Sequence, residues 1–205
     1  MPTLEWKAGK KILLDLHYLP SIPYFCAIAQ SKEVVLDVSN YYQKQSYQTR
    51  AYIRNAQGIQ ALIIPIQHPR YQVPYQDIKI DHTISWLKQH QRSLLTAYNS
   101  TPYGEILLEE IIFPSLVTQP TFLIELNLNL LDKFCSFMNI NVPISIMKGK
   151  VDTRDGLDMR GILHPKKALP KGHQCIIYDQ RFTPFIPNLS IVDLLACEGR
   201  VNLKT

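Results

Sequence analysis

The chain has 205 residues, of which 46% are hydrophobic and 19% are charged, and its formal net charge is +5. This composition is typical of a chain that folds around a hydrophobic core, so it excludes disorder over most of the length. A length of this order fits one domain, which we predict to span residues 1–205.

The amino-terminal and apolar segments bear on where the protein is located. The opening residues, MPTLEWKAGKK, have no apolar run behind their basic side chains, as a signal peptide would. No apolar stretch approaches the roughly 20 residues that cross a bilayer. The four cysteines lack the close spacing of metal or redox motifs, and free thiols suit a reducing compartment. We therefore expect a cytoplasmic protein with no transmembrane segment and no metal site.

The amino-terminal third predicts a β-α-β unit. Residues 11–17 (KILLDLH) form an apolar run of strand length, and residues 33–37 (EVVLD) form a second run. Between them, residues 24–30 (YFCAIAQ) predict a short helix, with Pro23 near its first turn. A helical connection of this kind favours two parallel strands and a right-handed crossover.

A β-hairpin and further strands are predicted beyond this unit. Residues 50–54 and 59–66 are β-like, and the NAQG sequence between them is typical of a turn. Residues 77–81 (DIKID) alternate polar and apolar side chains, which predicts a half-exposed strand. Residues 175–178 (CIIY) and the stretch after Val142 predict two more strands.

Helical patterns complete the predicted fold. The clearest amphipathic pattern covers residues 84–98, a weaker one covers 104–113, and a long helix is predicted over 120–138. A last helix is predicted over residues 189–198, with Gly199 at the usual stop position. The sequence thus predicts an α/β fold with a mixed sheet that opens with a β-α-β unit, a central hairpin, and amphipathic helices packed on the sheet.

One segment holds most of the net charge. Residues 148–173 contain seven basic side chains and three aspartates, which leaves +4 of the total +5 there. We predict an extended loop that suits an anionic small molecule, because the segment is too short and too poor in aromatic residues to indicate nucleic acid. The alternative is a solvated loop with Asp–Arg pairs.

The loops after the first two predicted strands contain the first candidate site residues. Ligands of open α/β sheets bind at the carboxyl ends of strands. His17 is a candidate catalytic acid–base or phosphate-contacting group. Cationic side chains could hold a phosphate or carboxylate and tyrosines could stack on a sugar, which gives these substrate-binding candidates: Tyr18, Tyr24, Tyr42, Lys44, Tyr47 and Arg50. The alternative is a rigid turn followed by an exposed polar loop.

Two helices contribute further candidates. Trp86 and His90 share one face of the predicted helix over 84–98, where they line a pocket as substrate-binding and catalytic residues or simply pack. Asn127 interrupts an apolar helical stripe, so it points into a polar pocket or ties down a loop.

The last predicted helix contributes three candidates. Asn188 and Ser190 fit helix-capping positions and are also candidate substrate contacts. Asp193 is a candidate catalytic residue, because aspartate is a mediocre residue inside a helix. No residue pattern identifies a cofactor.

Five motifs, taken in order, resemble the WbqC-like protein family. They are Tyr18-Leu19-Pro20 with Tyr24-Phe25, the block over residues 42–53, Val73-Pro74 with residues 78–81, residues 93–102 (SLLTAYNSTP), and residues 187–195 (PNLSIVDLL). Many members have Gln-Pro at Asp15-Leu16, tryptophan at Ser21, and a long helical insert before the last motif. In this chain the shorter stretch over residues 152–167 (DTRDGLDMRGILHPKK) occupies the place of that insert, which resembles a compact branch of the family.

The resemblance implies a role in bacterial surface polysaccharide or O-antigen biosynthesis. Tyr18, Lys44, Arg50, Asn188 and Asp193 match the family's patterns. We expect a transferase of the acyl or aminoacyl type that acts on an activated sugar or related precursor. The alternative is a noncatalytic binding or scaffold protein of a glycan-assembly complex.

Overall fold

A computed structural model of the chain describes residues 8–67, 71–147, 156–170 and 175–203. Strands β1 (Lys11–Leu14) and β2 (Glu33–Asp37) are largely buried and pair in parallel, with Lys11 opposite Glu33 and Leu14 opposite Leu36. Helix α1 (Ile22–Gln30) connects them, and its residues from Ile22 to Ala29 are all buried. The predicted β-α-β unit is confirmed.

The main sheet has four strands in the order β5-β2-β1-β6, with β5 at Ile144–Met147 and β6 at Gly156–Asp158. All three pairings are parallel. The prediction of a loop across residues 148–173 was wrong for β6. A three-residue strand that begins with glycine has no apolar pattern, and its pairing with β1 is what defines it. Residues 148–155 and 171–173 of that segment lie outside the described residues.

The hairpin forms a second, antiparallel sheet. Strands β3 (Arg50–Asn55) and β4 (Gly58–Ile63) pair from Arg50–Ile63 to Asn55–Gly58. The parallel and antiparallel pairing expected in one mixed sheet is therefore divided between two sheets. The strand predicted over residues 77–81 was wrong: Tyr75–Asp77 forms a 3-10 turn, and Lys79 and Ile80 make only isolated bridges.

Helices surround these two sheets. Helix α2 (Trp86–Tyr98) begins two residues later than predicted, and α5 (Leu123–Phe137) begins three residues later. Between them lie α3 (Gly104–Leu107), a π turn (Leu108–Ile112) and α4 (Phe113–Val117). Pro114 follows the π turn and has no N–H to continue the α pattern.

The carboxyl-terminal part contains helix α6 (Ile191–Glu198), which ends at Gly199 with a φ of 69°. The strand predicted over residues 175–178 was wrong. Tyr178 is buried and bonded through its hydroxyl to Asp193, whereas Ile177 is 82% exposed. A side chain, not a strand partner, holds this segment. Among the described helices, none combines the length and the hydropathy that a bilayer-spanning segment requires.

Candidate functional site

The loops that follow β1, β2 and β6 meet at the carboxyl edge of the parallel sheet. The Tyr18 N–H in the first loop donates to the Tyr47 carbonyl oxygen in the second over 2.8 Å. Lys166 in the third loop donates to the Gln45 side-chain oxygen in the second. The expected convergence of the first two loops is present, and the third loop joins them.

These loops enclose one side of a cavity of about 400 Å³. Tyr47, His164 and Lys167 line it, together with residues at the start of α1, on the hairpin, and just before α6. The described residues that line the cavity include no aspartate or glutamate. The described part of the cavity wall therefore has basic and aromatic groups without a neutralising carboxylate.

His17 lies directly behind the cavity wall. Its ring is 4.6 Å from the Tyr24 ring and 5.3 Å from the Tyr47 ring, measured between centroids. The residue is 3% exposed, and its Nδ1 has no hydrogen-bond partner within the described ranges. Burial, with a smaller contribution from His164, lowers the pKa of His17 to about 3. The imidazole is therefore neutral at physiological pH.

Basic side chains gather beside the cavity. Burial and the nearby Lys167, Lys166 and Arg50 all lower the pKa of His164, which is half-buried. Its Nδ1 accepts a hydrogen bond from the Lys166 N–H, so Nε2 carries the proton in the neutral ring. Lys167 is exposed and uses one donor on the Gly161 carbonyl oxygen, 2.6 Å away.

Arg50 is the least satisfied of these cations. Its Nε is buried and has no hydrogen-bond partner in the part of the chain that the structure describes. The ion pairs in the described part of the chain join Lys11 to Glu33 and Arg160 to Asp37 and Asp158, so Arg50 has no carboxylate partner there. A guanidinium without a carboxylate is available to an external anion.

The amino terminus of α1 does not supply free amide donors. The Ile22 N–H donates to the Leu189 carbonyl oxygen, the Tyr24 N–H donates to that of Ser21, and Pro23 has no N–H. An anion in this cavity would therefore depend on side chains more than on the helix terminus.

Aromatic and amide groups complete the cavity wall. The Tyr47 and Tyr52 rings lie edge to face, with centroids 6.0 Å apart and planes at 89°. Both line the cavity, as does Asn188, whose φ is 61°. Rings in this arrangement present a face and an edge to a sugar or base.

Carboxylates at the strand ends lie beside the third loop. Asp15 follows β1, Asp37 ends β2, and Asp158 ends β6. Arg160 pairs with Asp37 and Asp158, and the Asp15 Oδ2 accepts from the Gly161 N–H at 2.6 Å. In the described ranges, no group of three His, Cys, Asp or Glu residues could hold a metal ion.

The structure brings only some of the predicted site residues to the cavity. Tyr47 and Asn188 line it, and His17 and Tyr24 lie behind it. Arg50 lies close enough to lower the pKa of the cavity residue His164.

Tyr18, Trp86 and His90 form a buried group outside the cavity lining. The Tyr18 hydroxyl lies 2.9 Å from His90 Nδ1, and His90 Nε2 lies 3.2 Å from the Ile63 carbonyl oxygen. Because a carbonyl only accepts, Nε2 donates there and Nδ1 accepts from Tyr18. The Trp86 and His90 rings are in edge contact at 5.1 Å. These bonds join the first loop, β4 and α2.

Other candidates have partners that connect segments of the chain. Asn127 is fully buried, and its Nδ2 donates to the Gln48 carbonyl oxygen and the Tyr75 hydroxyl. The Tyr42 hydroxyl lies 3.2 Å from Thr49 Oγ1. Lys44 is exposed and does not line the cavity.

Asp193 and Ser190 are both buried at the start of α6. Asp193 accepts hydrogen bonds from the Tyr98 and Tyr178 hydroxyls and from Gln180 Nε2. Ser190 Oγ donates to the Leu19 carbonyl oxygen and accepts from the Val192 N–H, the expected capping bond. Neither lines the cavity, and the catalytic assignments of Asp193 and His90 stay predictions.

Sequence reasoning did not single out Tyr52, His164 or Lys167. Tyr52 lies in β3, where alternation gave no reason to prefer it. His164 and Lys167 lie in the basic segment, and its net charge was the available signal for an anion site.

The fold and the cavity define an α/β protein with a basic, aromatic site at the carboxyl edge of a parallel sheet. The WbqC-like protein family matches residues 16–162, and the chain belongs to this family. The uncharacterized protein Rv1507c of Mycobacterium tuberculosis (strain ATCC 25618 / H37Rv) is 28% identical over 137 residues. The matched region is 66% of this chain and 59% of that protein. No solved structure matches the chain significantly.

Proposed function

We propose that the cavity binds the anionic part of an activated sugar or related precursor, and that the protein transfers an acyl or aminoacyl group to or from it. The membership of the WbqC-like family is consistent with a role related to polysaccharide biosynthesis. The observation that carries the proposal is the presence of His164 and Lys167 in a cavity whose described lining has no carboxylate, with Arg50 near His164.

The anionic part of the ligand would bind to these basic groups. Arg50 offers a planar fork of donors that suits phosphate or carboxylate oxygens. Lys167 has further donors beyond its bond to Gly161, and His164 Nε2 donates in the neutral ring. The uncharged part of the ligand would pack on Tyr47 and Tyr52, with Asn188 offering hydrogen bonds.

Group transfer also requires a proton acceptor. The oxygen or nitrogen that receives the acyl group bonds to the acyl carbon, and the bond from that carbon to the leaving group breaks. The proton of the attacking oxygen or nitrogen passes to a base. Of the predicted catalytic residues, His17 is the one whose ring contacts a cavity residue. A bound anion raises the pKa of a nearby imidazole, and Tyr47, which separates His17 from the cavity, would have to turn aside for the ring to reach the substrate.

A thermal-shift screen against nucleotide sugars, acyl-CoAs, aminoacyl donors and nucleotides tests this proposal. A ligand at 100 times its Kd stabilises the native state by about 2.7 kcal/mol, which is readily detected. We expect a shift with one class, lost in Lys167→Ala and kept in Lys88→Ala, which removes an exposed charge from α2.

The screen also separates the two functional alternatives. A ligand that binds at this cavity but is never consumed would favour the noncatalytic binding role. No shift with any of the four classes would contradict the proposal and leave the scaffold role.

A further inference from the structure

We infer that Arg160 is a positioning residue: Asp37 and Asp158 hold its guanidinium at the ends of β2 and β6, and this Arg160 clamp fixes the loop that presents His164 and Lys167 to the cavity. The inference rests on the proposed function, because it concerns the two groups of that loop that would bind the anion.

The clamp is a fixed arrangement of charged hydrogen bonds. Arg160 donates from Nε to Asp158 Oδ1 over 2.9 Å and from a terminal nitrogen to Asp158 Oδ2 over 2.6 Å. Its other terminal nitrogen donates to Asp37 Oδ2. The Asp37 side chain is 1% exposed and that of Arg160 is 21% exposed, so water competes little for the bond between these two residues. A bidentate arginine–carboxylate pair also restricts the orientation of the guanidinium.

The loop continues directly from the clamp. The Gly161 N–H donates to Asp15 Oδ2 at the end of β1, and the Gly161 carbonyl oxygen accepts from Lys167 Nζ, each over 2.6 Å. Three adjacent strands therefore each supply one carboxylate to Arg160 or Gly161. Leu163 and His164, two and three residues after Gly161, line the cavity.

General stabilisation is a weaker explanation for the clamp. Burying a charged pair costs desolvation energy, and apolar residues often stabilise a fold as well. The pair between Lys11 and Glu33 joins β1 to β2 at the opposite end, with side chains 33% and 40% exposed. It provides a control, because it links two strands of the same sheet at the end away from the cavity loops.

The test measures inorganic pyrophosphate binding by titration calorimetry, at a temperature where every variant is folded. In Asp37→Asn and Asp158→Asn we expect Kd to rise about tenfold, within the range of such indirect effects, and in Lys11→Gln we expect no change. In a variant that already carries Lys167→Ala and His164→Gln, Asp37→Asn should lower the affinity for pyrophosphate little further. The two side chains through which it acts are then absent.

Unchanged Kd in both clamp variants, or losses that add fully in that background, would overturn the inference. If Asp37→Asn does not fold, Asp158→Asn gives the same comparison, because the Asp158 side chain is 38% exposed. If pyrophosphate does not bind to the wild type, the proposed anion site fails, and amide exchange then tests the clamp alone. Faster exchange over residues 161–169 in the clamp variants, but not in Lys11→Gln, supports the clamp, and equal exchange refutes it.

Discussion

The ring of His17 lies 5.3 Å from the ring of Tyr47, and Tyr47 lines the cavity whereas His17 does not. Tyr47 thus separates a buried, neutral imidazole from the space that a ligand would enter. Burial is the main cause of the pKa of about 3 for His17, so hydration of the ring must raise that pKa.

We predict that Tyr47→Ala raises the pKa of His17 by at least about one unit, toward its ordinary value. NMR titration of the imidazole carbon-bound protons measures it, with the His17 signal assigned from His17→Gln. Tyr41→Ala is the control, because Tyr41 lies in the same loop and is 58% exposed. An unchanged pKa in Tyr47→Ala would show that Tyr47 does not shield the ring.

Arg50→Ala should weaken binding of the ligand found in the screen by about tenfold or more, the effect of losing a charged hydrogen bond. The free energy of unfolding should change by less than about 1 kcal/mol, because Arg50 Nε has no hydrogen-bond partner among the described residues that the substitution would leave behind. Binding and urea denaturation are measured together, with Arg92→Ala on the exposed face of α2 as control. A large loss of stability with normal binding would make Arg50 structural.

The sequence predicts the fold best where local patterns coincide with tertiary contacts. The apolar runs of β1 and β2 flank a short helix, so their parallel pairing follows from the chain's own connectivity. Strand β6 has three residues and no pattern, so only its pairing with β1 reveals it. Residues 175–178 have a strand-like pattern, but the bond from Tyr178 to Asp193 determines their course.

The sequence predicts the part of the site that is formed by the loops at the ends of β1 and β2. The contact of His17 with Tyr47 follows from two parallel strands whose loops leave the same edge. The position of His164 depends on β6 and on the hydrogen bonds of Arg160, none of which has a local signature. The helical stripe that made His90 a candidate also suits its packed position between Tyr18 and Ile63.

His90 makes stability depend on pH. Both ring nitrogens are bonded in the neutral form, and burial lowers the pKa of His90 to about 4. In the unfolded chain the pKa is about 6.5, so between these values the unfolded state binds a proton that the native state does not. Stability contributed by neutral His90 is therefore lost as pH falls through this window, by about 2 to 3 kcal/mol at pH 4.5.

Urea denaturation at pH 7 and pH 4.5 measures this effect. His90→Gln should show a smaller loss of stability on acidification than the wild type. His82→Gln should behave like the wild type, because His82 is exposed. Equal acid sensitivity in His90→Gln and the wild type would contradict the assignment.

Asp193→Asn separates a structural from a catalytic role for this carboxylate. The three donors around it, Tyr98, Tyr178 and Gln180, would face an amide that offers one acceptor oxygen. We expect a loss of about 2 kcal/mol in the free energy of unfolding, with ligand affinity unchanged at temperatures where the variant is folded. Normal stability with lost turnover would instead support Asp193 as a catalytic residue.

Ligand affinity should depend on pH through His164. Burial, Lys167, Lys166 and Arg50 hold the pKa of free His164 below 6.5. A bound anion offsets these positive charges and raises the pKa, so the complex binds a proton that the free protein lacks. The affinity must then rise as the pH falls from above the pKa of His164 in the complex to its pKa in the free protein. At lower pH both states bind the proton, so the contribution of His164 to the affinity is constant.

Calorimetric titration with pyrophosphate between about pH 8 and pH 5.5, around the ordinary histidine pKa, tests this linkage. Pyrophosphate itself titrates, so the informative quantity is the difference in pH dependence between the wild type and His164→Gln. The wild type should gain more affinity on acidification and take up more protons on binding. Lys167→Ala should bind more weakly yet keep the His164 contribution. Identical pH dependence in the wild type and His164→Gln would mean that the anion does not bind near His164.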